Sequence, residues 1–396
     1  MMLDALLALA LAGPPDAFMA GLIVPAGEPR VLVVHAEPGG PRSWSYDGAL
    51  GALWLLSRDR PDEAGRVLAG LAAVQAPDGS LPFSFEAPRP PTGPPYVRSG
   101  AMAWVGYAAA RYLDVAPRGA QRDAVLAMAH RLAGTMLLRR IGQAGDPRDG
   151  LITGGSGHYT YTDEPGTAAP LEVFVPGEVP WASCEHNIDA WFFLREFGRV
   201  TGNRTYAGAA EDLAHALVAR LWDEPHGQFW RGASPEGPDT MAALDCASWG
   251  AIFLDAAGDT ARAERALSAA ERRYFDHDRA TGVTGHRPYT ATNVYESAVL
   301  QRRYAPGLAA PDWDHLSAVW PEGSAGVALA CWRLGRQARA KTILGELDRL
   351  RGPGGGLPCL STAVPMDFTA GPTLAGTAWV ELVRAEMNGW RGVWAR

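Results

Sequence analysis

Apolar blocks with helical spacing recur along the chain in pairs. Each pair joins a nearly all-apolar block, rich in alanine and glycine, to an amphipathic and more charged one. Five pairs are read directly: 44–57 with 62–75, 99–113 with 122–138, 185–198 with 206–221, 245–257 with 260–275, and 322–334 with 337–350. A sixth combines 374–387 with the N-terminal 3–11 and would close a ring. Connections within pairs are short and carry helix stop and start signals, as at Asp59-Arg60-Pro61-Asp62, Gly202-Asn203 and Gly258-Asp259. Connections between pairs (76–97, 142–183, 223–240, 276–319 and 352–373) are long and rich in glycine, proline and aromatics. Loops of that length and content point to function.

A helix that is apolar all round must be buried, and a charged partner faces water. The expected fold is therefore all-α, an (α/α)6 toroid of six helical hairpins forming a single domain over 1–396, with the long loops at one mouth. An open superhelix of helix pairs would keep a short, near-constant period, which these spacings do not.

Composition removes several functions. The 396 residues are 47% hydrophobic, which excludes disorder, and the 36 basic against 43 acidic residues give a net charge of -7, which excludes a phosphate-gripping surface. No nucleic-acid partner is expected. Lys341 is the only lysine and lies on a charged helix face, so Schiff-base, pyridoxal phosphate and P-loop chemistry have no good candidate. The four cysteines are far apart, without CxxC, and read as buried reduced thiols. The first dozen residues are apolar but carry Asp4 and no basic segment, and no apolar run reaches membrane-spanning length. The expectation is a soluble, cytoplasmic protein without membrane contact. HExxH spacing is absent, and Gly154–Tyr161 precedes no helix, so neither a metal nor a cofactor is expected and that loop reads as a substrate flap.

If the inner helices run parallel, their first residues are neighbours in space. These openings bring together Asp47, Glu185, Asp189, Asp245 and Glu322 with Trp44, Tyr46, Trp181, Trp249 and Trp320. Glu185 and Asp189, four apart, share one helix face, where repulsion between them would raise one pKa. First-turn carboxylates also compensate a helix dipole whatever the function, so the flanking aromatics tip the reading towards a site. The catalytic candidates are Asp47, Glu185, Asp189 and Glu322. The candidates for substrate binding are Trp44, Tyr46, Arg98, His158, Tyr159, His186, Asn187, Asp245, Trp249 and Trp320.

Through the hairpin pattern and the openings Tyr46-Asp47-Gly48-Ala49, Glu185-His186-Asn187-Ile188-Asp189 and Trp320-Pro321-Glu322-Gly323-Ser324-Ala325, the chain resembles the six-hairpin glycosidase-like superfamily. The resemblance spans most of the chain. It implies an (α/α)6 toroid with acid and base carboxylates near the starts of inner helices and sugar rings held on aromatics, and it assigns no particular catalytic pair.

The expected function is carbohydrate-active, a glycoside hydrolase acting on a carbohydrate or glycosylated small molecule with Glu322 or Glu185 as one partner and Asp47 or Asp189 as the other. Three alternatives stay open. His158 with Tyr159 or Tyr161 would serve a lyase, with Arg98 or Arg42 neutralising a uronate. A buried acid among aromatics would serve an isomerase or a proton-initiated cyclase, although no DxDD segment occurs. A scaffold would use the carboxylates only as caps, with no two of them meeting in an open cavity.

Overall fold

The computed structural model describes residues 14–26, 28–86, 96–162, 171–290, 313, 316–364 and 368–394. Among them are twelve helices. A short α1 (Pro14–Gly21) precedes five pairs: α2 (Ser45–Ser57) with α3 (Pro61–Val74), α4 (Ser99–Val115) with α5 (Ala120–Leu138), α6 (Cys184–Thr201) with α7 (Arg204–Leu221), α8 (Leu244–Ala256) with α9 (Thr260–Tyr274), and α10 (Pro321–Arg333) with α11 (Gln337–Asp348). The last is α12 (Leu374–Met387). No described helix is long and apolar enough to cross a membrane.

Burial separates the two rings. Helix α4 buries fifteen of its seventeen residues, whereas α9 buries six of fifteen, all on one stripe. The inner helices pack in the order α2, α4, α6, α8, α10, α12 and back to α2, so the ring is closed. The proposed outer partner of the sixth hairpin, 3–11, lies outside the described residues; α1 packs against α12 instead.

One repeated device brings the inner helices to a common level. Every residue preceding an inner helix is extended: Trp44, Arg98, Ser183, Ala243, Trp320 and Thr373. The first helical N–H, which no intrahelical carbonyl can reach, then donates to a mouth-loop carbonyl. Ser45 donates to Phe83, Ser99 to Gly154, Cys184 to Arg231, Leu244 to Pro288 and Leu374 to Ala36, over 2.8–3.0 Å. Helix α10 starts with Pro321, which has no N–H to place, and the bond moves back one residue, from Trp320 to the His286 carbonyl.

The long loops are less irregular than their composition suggests. Gly155–Thr162 pairs antiparallel with Leu171–Glu178, and Val97–Arg98 joins the same sheet. The segment read as a flap is thus one strand of a hairpin anchored at the entry of α4. Short strand pairs join Ser43–Trp44 to Ser84–Phe85 and Ala182–Ser183 to Gly232–Ser234 across neighbouring mouth loops, and others brace single loops from within.

Candidate active site

Two layers of side chains line the inner ring. The second residues of the six inner helices are Tyr46, Gly100, Glu185, Asp245, Glu322 and Ala375; the sixth residues are Leu50, Trp104, Asp189, Trp249, Gly326 and Trp379. The lower layer is a tryptophan floor. Trp249 stacks on Trp379 at 5.2 Å and 15°, with Trp104 edge-on to both at 6.1 and 5.6 Å. Gly326 leaves the room for this, since a Cβ there would lie 2.8 Å from Trp249 Nε1. Trp249, a sequence candidate for substrate contact, is therefore a core ring, 2% exposed.

The upper layer holds the carboxyls. Tyr46 donates to Glu322 Oε1 at 2.5 Å and accepts Trp379 Nε1 at 2.6 Å. Burial lifts the Glu322 carboxyl to about 7, against the pull of the Tyr46 bond and with help from the charge of Asp245. Burial and then the charge of Glu322 push Asp47, the third residue of α2, up to about 8. Across α6 and α8, Glu185 and Asp245 line the same cleft. Burial and then the charges of Asp245 and Asp189 raise the Glu185 pKa well above the usual carboxylate range; burial also raises Asp245, which accepts the Cys246 N–H at 2.8 Å. Asp189 is 1% exposed with neither oxygen hydrogen-bonded; burial and then the charge of Asp245 raise its pKa, and the nearby Trp104 indole N–H offsets part of the rise without closing a hydrogen bond.

These carboxyls differ from buried glutamates elsewhere, which meet arginine, and from the buried Asp278, which accepts the Ala280 N–H and the Thr281 hydroxyl at 2.9 Å. Glu196 meets Arg199 at 2.9 Å and Arg111 at 3.3 Å, Glu381 meets Arg351 at 2.6 Å, and Glu386 meets Arg333 at 2.8 Å. For Glu196 the cost of burial is outweighed by those guanidiniums, which hold it below the usual carboxylate range. Asp47, Glu185, Asp189 and Glu322 form no ion pair among the described residues. Buried charge without a counter-ion raises the pKa instead.

A cleft of about 550 Å³ opens beside Glu185 and Asp245, lined also by Trp181, His186, Arg231 and Tyr289. Trp181 lies against Gly154 so closely that a Cβ there would fall 1.9 Å from the indole. His186 faces Trp181 at 5.5 Å, and its Nδ1 is buried without a partner. Burial, then the charge of Arg98, drives its pKa down to about 3, so the ring is neutral. Arg98 lies over Tyr96 at 4.2 Å and Trp181 at 5.5 Å, and donates to the Val97 and Gly157 carbonyls at 2.9 Å. Arg231 is held by Asp239 at 2.6 Å.

The other candidates spread along the rim. Trp44 is half-buried edge-on to Phe83 at 4.9 Å, and Trp320 stands at the N-cap of α10, 6.2 Å from Phe368. Tyr159, 46% exposed, touches Tyr96 and Phe174, and His158 stands opposite Val175 on the same hairpin. Asn187 departs from its expected role. It is fully buried; its Oδ1 accepts the Ile152 N–H at 2.7 Å, and its Nδ2 donates to the carbonyls of Ile152 at 3.0 Å and Ser183 at 2.7 Å. It is a clamp on the backbone. Trp104, Trp379, Arg231 and Tyr289 were not anticipated. The two tryptophans carried a signal, their recurrence at the sixth residue of an inner helix. The other two lie in loops with no periodicity.

No protein-family model matches the chain, and no curated protein matches it in sequence. Solved structures match in fold. An α-mannanase of glycoside hydrolase family 76 from Bacteroides thetaiotaomicron superposes with a TM-score of 0.60 at 10% identity, over 94% of each chain. A D-mannose isomerase gives 0.59 at 11% identity, over 94% of this chain and 96% of its own. A sugar epimerase from a ruminal bacterium gives 0.58 at 11%, over 97% and 99%. These likenesses show the fold, a closed (α/α)6 toroid.

Proposed function

We propose that this chain is a carbohydrate-active enzyme, a glycoside hydrolase whose acid and base are carboxyls of the toroid mouth. The observation that carries the reading is the set of buried carboxyls without counter-ions, gathered above a tryptophan floor at the mouth of the ring, whereas Glu196 and Glu381, buried elsewhere, are neutralised by arginine. Such groups are costly to fold and useful to catalysis, because a carboxyl that is half protonated near neutrality is matched to proton transfer. The fold neighbours support the substrate class, being named as a mannanase, an isomerase and an epimerase of sugars.

Geometry constrains the pairing. Glu185 and Asp245 line one cleft and each influences the other's protonation directly, so they act as one unit rather than as an acid and base facing across a sugar. The acid and base are therefore drawn from different dyads. Glu322, oriented by Tyr46, is the proton donor to the leaving oxygen; the Glu185–Asp245 unit, which holds one proton between two carboxyls, supplies the carboxylate partner. Asp47, kept protonated by burial and by the charge of Glu322, is the neutral neighbour of that acid, and Asp189 lies in the layer beneath Glu185, its pKa raised by burial.

One observation favours a second reading, isomerisation or epimerisation of a free sugar. His186 is neutral with an unbonded Nδ1 beside the cleft and could take a proton from carbon.

The test is turnover of an aryl glycoside and oligosaccharide panel, alongside free mannose and glucose in heavy water followed by proton NMR. Hydrolysis releases reducing sugar and falls at least about 100-fold in Glu322→Gln. Deuterium entering at C2, abolished in His186→Ala, selects the second reading. Neither outcome with any sugar would remove the enzyme from this class.

A further inference from the structure

One ring of the tryptophan floor comes from outside the helices. Trp394 stacks on Phe192 at 4.8 Å and 7°, and its centroid lies 4.8 Å from Trp104, 5.0 Å from Trp249 and 5.6 Å from Trp379. It is fully buried, and its φ of 56° is in the left-handed region that bulky side chains avoid. A conformation of that kind persists only where its surroundings over-determine it.

The surroundings do. Arg333, fixed by Glu386 at 2.8 Å, donates to the carbonyls of Val393 and Trp394. The Tyr107 hydroxyl donates to the Gly392 carbonyl at 3.3 Å, and Arg111 to that of Arg391 at 2.5 Å. Four successive carbonyls of the 391–394 segment are thus gripped by side chains of α4 and α10, and the indole is wedged into the end of the ring away from the carboxyls.

The rings it touches are those that hold the mouth. Trp379 donates to Tyr46, which donates to Glu322, and the Trp104 N–H lies beside Asp189. We propose that Trp394 is a positioning residue: by wedging Trp379 and Trp104 from below, it fixes the Tyr46–Glu322 pair and Asp189 above. Trp394 reaches the carboxyls only through those two indoles. The inference rests on the reading of Glu322 as the reacting acid, and it predicts that a residue of the 391–394 segment controls a titration at the opposite face of the floor.

The test uses the full chain labelled with 13Cδ-glutamate, with the Glu322 resonance assigned by its loss in Glu322→Gln, and needs no substrate. In Trp394→Ala the Glu322 titration moves by at least half a pH unit, and added indole, which refills the space, returns it. On a substrate found by the panel above, kcat falls at least tenfold while KM changes less than threefold. If Trp394→Ala does not fold, as far-UV circular dichroism and thermal melting would show, Trp394→Leu, which keeps apolar volume without the flat face, is read the same way. A folded variant with an unmoved Glu322 titration and unchanged kcat overturns the proposal. If no sugar is turned over at all, the functional reading falls and the titration alone decides this one.

Discussion

The Tyr46 hydroxyl is donor and acceptor at once, 2.5 Å from Glu322 Oε1 and 2.6 Å from Trp379 Nε1. Burial, together with the charge of Glu322, lifts its own pKa well above that of a free phenol, so it keeps its proton throughout the working range. The direction of the bond is therefore settled, and Tyr46 stabilises the ionised form of the carboxyl it touches.

Removing that donor raises the Glu322 pKa. A hydrogen bond to a charged group contributes about 1.5–3 kcal/mol, which corresponds to roughly one to two pH units. Tyr46→Phe should accordingly shift the limb of the kcat/KM profile that reports Glu322 upward from the neighbourhood of about 7. The profile measured over pH 4–10 checks this, and an unmoved limb would show that Glu322 does not control it.

Asp47 makes the fold pH-sensitive. Its carboxyl is raised from an ordinary value of 3.8 to about 8 in the folded chain, so the native state holds a proton that the unfolded state releases. That contribution is fully present below about pH 3.8 and is lost as pH rises through about 8. Asp47→Asn, which mimics the protonated acid, should match the parent at pH 4 and exceed it at pH 8.5 by on the order of 2–4 kcal/mol, or several degrees of melting temperature. The same variant should lose activity. Thermal melts at the two pH values test the sign; a variant less stable at pH 8.5 would contradict it.

The parts of this molecule legible in the sequence are those written in local periodicity. Inner helices stand out because they are apolar on every face, and the mouth carboxyls because they open such helices. Trp249 was legible as an aromatic near a helix start that could serve as core or as platform; what buries it is Gly326 on α10 and Trp379 on α12, neighbours only after the ring closes. Asn187 sits between two candidate residues, and only the approach of Ile152 shows that its amide is already used. The segment 155–162 has the alternation His158, Tyr159, Thr160, Tyr161, but its glycines and its position between helical blocks hid its pairing with 171–178. Arg231 and Tyr289 reach the cleft through loop contacts that no spacing rule encodes.

The Glu185–Asp245 dyad should titrate as a unit, with apparent values that belong to the pair. After burial, the charge of Asp245 is the largest influence holding Glu185 protonated. Asp245→Asn removes that charge and offers an amide donor, both of which favour ionised Glu185, so its titration should fall by about one unit or more. Carboxyl-carbon NMR of the variant measures this directly. A Glu185 signal that titrates as in the parent would mean that the two groups do not share a proton.

Asn187 separates a structural role from a binding one. If it held substrate, as its place between His186 and Asp189 suggested, Asn187→Ala would raise KM and leave the melting temperature nearly alone. Its three bonds run instead to the backbone of Ile152 and Ser183 in a fully buried setting. Truncation leaves backbone groups there without partners, at about 1–3 kcal/mol for each group that water cannot reach. The expected result is a melting temperature lower by roughly 5–10 °C, with KM of the folded fraction within about twofold of the parent on the view that the loss is one of packing and hydrogen bonding. Residues 152–154 lead into Gly154, against which Trp181 lies, so a loosened clamp should also quench or shift Trp181 fluorescence before global unfolding. A variant with unchanged melting and a large rise in KM would return Asn187 to the substrate site.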